Sequence, residues 1–292
     1  MSQSARASSD TMPQVTDAVV IALDDSSRLD GFRACPGTRM FRVLTASDAR
    51  RGEGGAEFDD ATCRRLFGFD ALAAEKAIAH SHHRALRDFA LAPGRPQDVL
   101  VVAEDDARPI DDVVPVLRRI VERGLVRGVV VLAHGRSEPG RIRISGIAER
   151  QVQLSALSAV VGRTGRHLYR VGHYSGVLWG AGLYAVTREA AQRHLDLVRR
   201  SRGIHWMADD WGYFSRAAGI DVRLLRPNLA GWAGHSTFRD EVPTTSEGTA
   251  GSLRDEIART VALRTRLRLA RNVSAITLRD LADHLEQHGH IR

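Results

Sequence analysis

The sequence is poor in the residues that build metal clusters, disulfide frameworks and membrane spans. Its two cysteines, Cys35 and Cys63, are too few for a zinc cluster and do not resemble the framework of a secreted, disulfide-rich protein. No stretch reaches the roughly 18 to 20 apolar residues of a membrane span, and the polar segment 1–14 lacks the apolar core of a secretion signal. We therefore expect a cytoplasmic protein.

Lysine is almost absent, since Lys76 is the only one in the chain. The formal net charge of +7 therefore comes from arginine. The planar arginine fork suits diphosphates and carboxylates, but a bias of this kind also follows from the nucleotide composition of a gene. The charge indicates only that anionic ligands or surfaces are compatible with this protein.

The remaining composition is that of a folded protein, with 43% hydrophobic and 26% charged residues, and 292 residues suffice for one large domain or two small ones. We predict a disordered segment over 1–14, an α/β domain over 15–238, a polar linker over 239–251 and a helical appendage over 252–292.

Apolar runs and helical periodicity alternate along the main domain, which favours a mostly parallel sheet flanked by helices. The predicted strands are Val15 to Leu23, Met40 to Leu44, Asp98 to Ala103, Val126 to Leu132, part of Ser175 to Thr187, and Asp221 to Leu225. The predicted helices are a short one through Leu29, then Asp70 to Leu91, Asp111 to Arg123, Arg188 to Arg199 and His205 to Ala218. Residues 141–161 read as irregular strands.

An acidic triplet, Glu104-Asp105-Asp106, follows the wholly apolar run 99–103. Open α/β sheets bind ligands at the carboxyl ends of their strands. Crowded carboxylates raise each other's proton affinity, and a hard cation such as Mg²⁺ or Mn²⁺ keeps them ionised. The alternative is a solvated loop that caps the next helix.

Four segments together resemble a known family. Val20 to Arg28 is similar to an opening V-I-N-L-D, Ala74 to His82 to G-E-I-G-C-x-x-S-H, Val99 to Ala107 to an apolar strand ending in E-D-D, and Gly180 to Ala191 to G-x-x-x-Y-x-I-S-x-x-A-A. These are motifs of glycosyltransferase family 25, the lipopolysaccharide and collagen-type galactosyltransferases. The matches follow the family's order across residues 19–214.

The resemblance implies a GT-A fold with a Rossmann-like nucleotide-binding sheet. It also implies a divalent ion, Mn²⁺ or Mg²⁺, held by Asp106 and Glu104, and a UDP-sugar donor, often UDP-galactose. Carried over by motif, the donor-binding residues are Leu23, Asp24, Arg28, Ser81, His82, Glu104, Asp105 and Gly180. Two of these have a structural alternative: Asp105 as a carboxylate behind the site or facing solvent, and His82 as a residue that packs against the strand ending at Ala103.

A second acidic pair, Asp209-Asp210, is flanked by aromatic residues. Direct displacement at a sugar needs a carboxylate that takes the proton of the acceptor hydroxyl, so Asp209 or Asp210 is the candidate base. Trp206 and Trp211 could form a platform for a sugar ring. The alternative is a pair that caps an aromatic core helix.

Two further features are less specific. His235, in a glycine-flanked segment, could supply a third metal ligand through a ring nitrogen or lie on the surface. The stretch 264–271 sets arginines among leucines, which suits peripheral contact with an anionic membrane or a solvated helix face.

The sequence thus predicts an inverting, metal-dependent glycosyltransferase that acts on a glycan, a lipid-linked or a small-molecule acceptor. One alternative is a polyanion-binding protein with structural acidic clusters; the chain has neither finger spacing nor a basic, aromatic-interleaved motif, so we expect no nucleic-acid partner. Another is a metal-dependent phosphoester hydrolase.

Overall fold

A computed structural model describes residues 13–134, 152–176 and 178–233. Its strands are β1 (Val15–Ala22), β2 (Arg42–Thr45), β3 (Val99–Glu104), β4 (Ala107–Pro109), β5 (Val129–Ala133), β6 (Gln153–Leu154), β7 (Ala159–Thr164), β8 (His167–Gly172), β9 (Tyr174–Ser175), β10 (Leu183–Thr187), β11 (Val222–Arg226) and β12 (Ala230–Trp232). Its helices are α1 (Arg28–Arg33), α2 (Asp60–Phe67), α3 (Ala73–Leu91), α4 (Val113–Glu122), α5 (Arg188–Ser201) and α6 (Trp211–Ala218).

The centre of the fold is an eight-stranded sheet in the order β2-β1-β3-β10-β5-β11-β8-β7. The pairings make six strands run in one direction, while β10 and β8 run in the opposite one. This confirms the predicted α/β class with a mostly parallel sheet flanked by helices. The insertion of β10 between β3 and β5 was not predicted, because an antiparallel and a parallel buried strand have the same apolar sequence pattern.

Each face of the sheet is covered by helices, which explains why β3 is apolar at every position. Successive side chains of a strand point to opposite faces. Leu100 and Val102 accordingly belong to the core beneath α3, α5 and α6, whereas Val99, Val101 and Ala103 belong to the core beneath α1 and α4. The strand β3 is therefore rigidly held, and so is the acidic triplet that begins at its last residue.

Several predicted bounds differ from the structure. The helix expected over 205–218 begins only at Trp211, because the Asp210 carboxylate accepts a hydrogen bond from the Met207 N–H at 3.0 Å and closes a turn before it. The helix α2 was missed, and the strand expected within 175–187 is continuous only from Leu183.

The predicted linker over 239–251 and the predicted helices of 252–292 lie outside the described residues, as does most of the N-terminal segment 1–14. Among the helices that the structure describes, none combines the length and apolar character needed to cross a bilayer.

Candidate active site

A cleft of about 330 Å³ opens at the carboxyl ends of β1, β2 and β3. The first turns of α3 form its other wall, through Ala74, Ala77 and Ile78. Seven of the residues predicted from the sequence line it: Leu23, Arg28, Ser81, His82, Glu104, Asp105 and Asp106. Parallel strands bring their carboxyl ends to one edge of a sheet, so four segments that are far apart in sequence meet here.

Ser81 joins α3 to the segment that follows β2. Its hydroxyl donates to the Ala77 carbonyl at 2.7 Å and accepts from the Ser47 N–H at 2.8 Å. The Ser47 hydroxyl in turn lies 2.8 Å from His80 Nδ1. Ser81 is buried, so its role in this structure is to fix two walls of the cleft relative to each other.

Asp105 joins the end of β3 to the segment after β1. Its Oδ1 lies 2.9 Å from the Arg28 guanidinium, and its Oδ2 accepts from the Ser26 hydroxyl. The carboxylate is buried, and both of its oxygens are occupied. Asp105 thus lines the cleft and positions Arg28 at its rim, and its contact with the donor stays a prediction.

Asp106 is the least satisfied carboxylate of the triplet. Its Oδ1 is buried and has no hydrogen-bond partner among the described residues. Burial in the first place, and the charge of Glu104 in the second, raise the pKa of Asp106 to about 7. This is the mutual effect that crowding of the acidic residues predicts. A cation at Oδ1 would relieve both the missing partner and the raised pKa.

Glu104 is held from behind by a buried chain of hydrogen bonds. Its Oε1 lies 3.1 Å from His82 Nε2, and His82 Nδ1 lies 3.0 Å from the Tyr184 hydroxyl. A carboxylate only accepts, so His82 Nε2 carries the proton in this contact, and in the neutral imidazole Nδ1 then accepts from the Tyr184 hydroxyl. His82 thus orients Glu104 and packs against Tyr184. Its contact with the donor stays a prediction.

The described residues contain no group of three or more His, Cys, Asp or Glu side chains arranged to hold a metal ion. Two carboxylates, Asp106 and Glu104, are nevertheless close enough to interact electrostatically. Magnesium is commonly bound by one or two carboxylates together with substrate phosphates and water. The residues present therefore fit a divalent ion shared with a diphosphate. His235, the predicted third ligand, lies outside the described residues.

Asp209 and Asp210 have different environments. Asp209 Oδ2 accepts from the Gly180 N–H at 2.8 Å, and burial, then the charges of Asp210 and Glu104, raise the pKa of Asp209. Asp210 is the N-cap of α6 and bonds to its own turn, with a pKa also raised by burial. Only Asp209 is tied to the segment before β10 and is influenced by Glu104, which makes it the better candidate base. Gly180 contacts this aspartate and does not line the cleft.

The expected sugar platform of Trp206 and Trp211 is wrong. The two rings are only 1% and 2% exposed and pack in the core between α5, α6 and Tyr184. A flanking aromatic pattern looks the same whether the ring faces a ligand or the core. The exposed ring near Asp209 is Trp179, at 51%, which the sequence analysis did not single out.

Two charged residues lie near the mouth of the cleft, and only one of them lines it. Asp24 is exposed, accepts from the Thr45 hydroxyl at 3.0 Å and does not line the cleft. Arg50, which no sequence pattern had indicated, lines the cleft and links Asp25 at 2.9 Å to Asp48 at 2.7 Å.

No protein-family model matches the chain, and no curated protein matches it. Among solved structures, CMP:2-keto-3-deoxy-manno-octonic acid synthetase in complex with CTP superposes with a TM-score of 0.37 and 15% sequence identity. The superposition covers 85% of this chain and 99% of that chain. At this level of similarity it carries no argument about activity, which has to come from the site itself.

Proposed function

We propose that this chain is a metal-dependent glycosyltransferase. It transfers a sugar, with galactose as the first candidate, from a UDP-sugar to an acceptor hydroxyl with inversion at the anomeric carbon. The observation that carries the proposal is the cleft of about 330 Å³, in which an Asp106 oxygen that has no partner within the described part of the chain lies beside Glu104 and Arg28. The similarity of four ordered motifs to glycosyltransferase family 25 supports the same activity.

The donor is bound by the walls of the cleft. Leu23 and Ala22 offer an apolar surface for the nucleobase, and Ser47 and Ala49 line the same cleft. Arg28, which Asp105 holds in place at 2.9 Å, presents a cation to the diphosphate. Arginine forms forked hydrogen bonds to phosphate oxygens, so its fixed orientation favours this ligand.

A divalent ion bound by Asp106 and Glu104 would neutralise the charge that develops on the departing diphosphate. The protein's own contribution is to hold these carboxylates in a fixed geometry. Glu104 is oriented through His82, and Asp106 follows a strand that is buried on both faces. Fixed charges at the site need no reorganisation when the bond to the diphosphate breaks.

Asp209 accepts the proton in the transfer step. The acceptor oxygen forms a bond to the anomeric carbon, the bond between that carbon and the diphosphate oxygen breaks, and the acceptor's hydroxyl proton moves to Asp209. The Gly180 N–H fixes Oδ2 at 2.8 Å, which holds the carboxylate in one orientation for this transfer. A raised pKa makes this carboxylate a stronger base than an ordinary aspartate. Attack opposite the leaving group inverts the anomeric carbon.

The test measures UDP release from UDP-galactose and other UDP-sugars in the presence of Mn²⁺. Wild type is compared with Asp106→Asn and with Asp88→Asn, which makes the same chemical change at an exposed position on α3. We expect Asp106→Asn to lose about a hundredfold or more in rate, as for a residue that stabilises transition-state charge, and Asp88→Asn to retain the wild-type rate. Equal rates for wild type and Asp106→Asn, above the protein-free rate, would contradict the metal assignment.

The same preparations separate the alternatives. Phosphate release from a simple aryl phosphate without release of UDP would indicate a phosphoester hydrolase. Polyanion binding that weakens steeply with salt and ignores Mn²⁺ and UDP would indicate structural acidic clusters.

A further inference from the structure

The segment before β10 exposes a large aromatic ring. Trp179 is 51% exposed, whereas Leu178 before it and Ala181 two residues after it are buried. An exposed tryptophan offers a large apolar face that a ligand can cover. No part of the proposed donor site uses it.

The backbone that carries Trp179 is held by its neighbours. His134 Nδ1 makes one hydrogen bond to it, either by donating to the Trp179 carbonyl oxygen at 2.9 Å or by accepting from the Trp179 N–H at 3.1 Å. The next residue, Gly180, donates its N–H to Asp209 and accepts from Trp211 Nε1 at 3.2 Å. A ring on a fixed backbone loses little conformational freedom when a ligand binds, which favours a binding role.

The sheet order places this ring across the carboxylates from the donor cleft. The cleft lies over β2, β1 and β3, and β10 is the next strand beyond β3. Because β10 is antiparallel to β3, with Leu183 opposite Ala103, its first residues lie at the same edge as the carboxyl end of β3. The Cα of Trp179 is about 3.8 Å from that of Gly180, whose N–H contacts the candidate base. The backbone of Trp179 therefore lies at the same edge of the sheet as the candidate base, on the far side of β3 from the donor cleft.

We propose that Trp179 forms the acceptor subsite and stacks against the ring of a neutral hexose, whose hydroxyl it directs to Asp209. This inference rests on the proposed transferase function. The broad apolar face of an indole matches the C–H face of a hexose. The buried Asp209 carboxylate, which lies close to the charge of Asp210, disfavours an anionic acceptor, since like charges repel in a partly buried site. The acceptor is thus a neutral saccharide and not a phosphorylated or acidic one.

The test uses the full chain with Mn²⁺ and UDP-galactose, and neutral methyl glycosides and lactose as acceptor probes. Trp179→Ala is compared with Trp179→Phe, which keeps an aromatic face, and with Phe69→Ala, which removes another exposed aromatic ring. We expect Trp179→Ala to raise the acceptor KM at least tenfold with a smaller change in kcat. Trp179→Phe should recover most of this loss, and Phe69→Ala should match wild type.

Binding is also followed without turnover. Trp206 and Trp211 are buried, so quenching of the exposed tryptophan fluorescence by a bound saccharide should disappear in Trp179→Ala, while the UDP affinity measured by calorimetry confirms that the variant is folded. The inference would be overturned if the acceptor KM of Trp179→Ala were within twofold of the wild-type value. It would also be overturned if the wild-type protein released UDP but bound none of the neutral saccharides. If wild type binds neither UDP nor Mn²⁺, the proposed function fails first, and the inference with it.

Discussion

Tyr184→Phe tests whether the buried hydrogen-bond chain behind Glu104 sets the geometry of the site. The substitution removes one hydroxyl and keeps the ring. It leaves His82 Nδ1, which lies 3.0 Å from that hydroxyl, without its donor in a buried environment. The His82 ring then loses a hydrogen bond that fixes the orientation in which Nε2 contacts Glu104.

The expected size of the effect follows from burial. A buried polar atom that loses its partner costs about 1–3 kcal/mol, and no sizeable cavity is added because only an oxygen is removed. For a domain of 150–250 residues each kcal/mol lowers Tm by about 2–4 °C, so a decrease of about 4–8 °C corresponds to the middle of this range. We also expect the affinity for Mn²⁺ in the presence of UDP to fall about tenfold, since outer partners of metal ligands contribute 10–100-fold.

The matched control is Tyr169→Phe. The Tyr169 hydroxyl is likewise attached to a buried ring and donates to Asp112 Oδ2 at 2.7 Å, but this pair lies between β8 and α4, away from the cleft. Asp112 is partly exposed, so water can replace the lost donor and the cost should stay near ~1 kcal/mol. Thermal unfolding and calorimetric titration with Mn²⁺ and UDP are measured on both variants.

The reasoning is refuted if Tyr184→Phe binds Mn²⁺ and UDP as tightly as wild type. It is also refuted if Tyr169→Phe loses metal affinity to the same extent, because a general loss of stability would then explain both results.

Three more outcomes are expected. Because the pKa of Asp106 is raised to about 7, protons compete with the metal, and calorimetry should show the Mn²⁺ affinity falling about tenfold for each pH unit below 7. The same raised pKa should make the metal-free protein lose stability as the pH rises from about 4 to 7. In urea unfolding, Asp106→Asn should remove this pH dependence. Burial lowers the pKa of His194 to about 3, so unfolding takes up a proton below pH ~6.5 and stability falls with further acidification; His194→Gln should shift the acid-unfolding midpoint, followed by circular dichroism, to lower pH. A Cβ on Gly182 would lie 2.9 Å from Trp232 Nε1, so Gly182→Ala should cost about 1–3 kcal/mol in denaturant unfolding, whereas Gly55→Ala, whose nearest neighbour would be at 3.7 Å, should be tolerated.

Much of the fold could be predicted because its strongest signals are local. Each of these signals, the apolar run and acidic end of β3 and the periodicity of α3, depends on a few neighbouring residues. The observed bounds of β3 lie within one or two residues of the predicted ones, and α3 ends at the predicted residue. The direction of β10 was not predictable, because its buried sequence fits either orientation and only its neighbours decide.

The candidate site was predicted in part for the same reason. Residues at or just after the ends of β1 and β3 line the cleft, and so do Ser81 and His82 in the middle of α3, since motif and position agree there. The interpretation of Trp206 and Trp211 was wrong because burial is a property of the packed molecule, and Trp179 was missed because nothing in its neighbourhood signals exposure.

By itself the sequence determined which residues carry charge, where the apolar strands run, and that an acidic triplet ends one of them. Tertiary structure alone decided which carboxylate keeps a free oxygen. Asp105 forms an ion pair with Arg28, Glu104 is hydrogen-bonded to His82, and Asp106 Oδ1 has no partner among the described residues. Hydrogen-bond partners 22 and 77 positions apart in sequence become neighbours only when the sheet forms, and the pKa of each carboxylate follows from that neighbourhood.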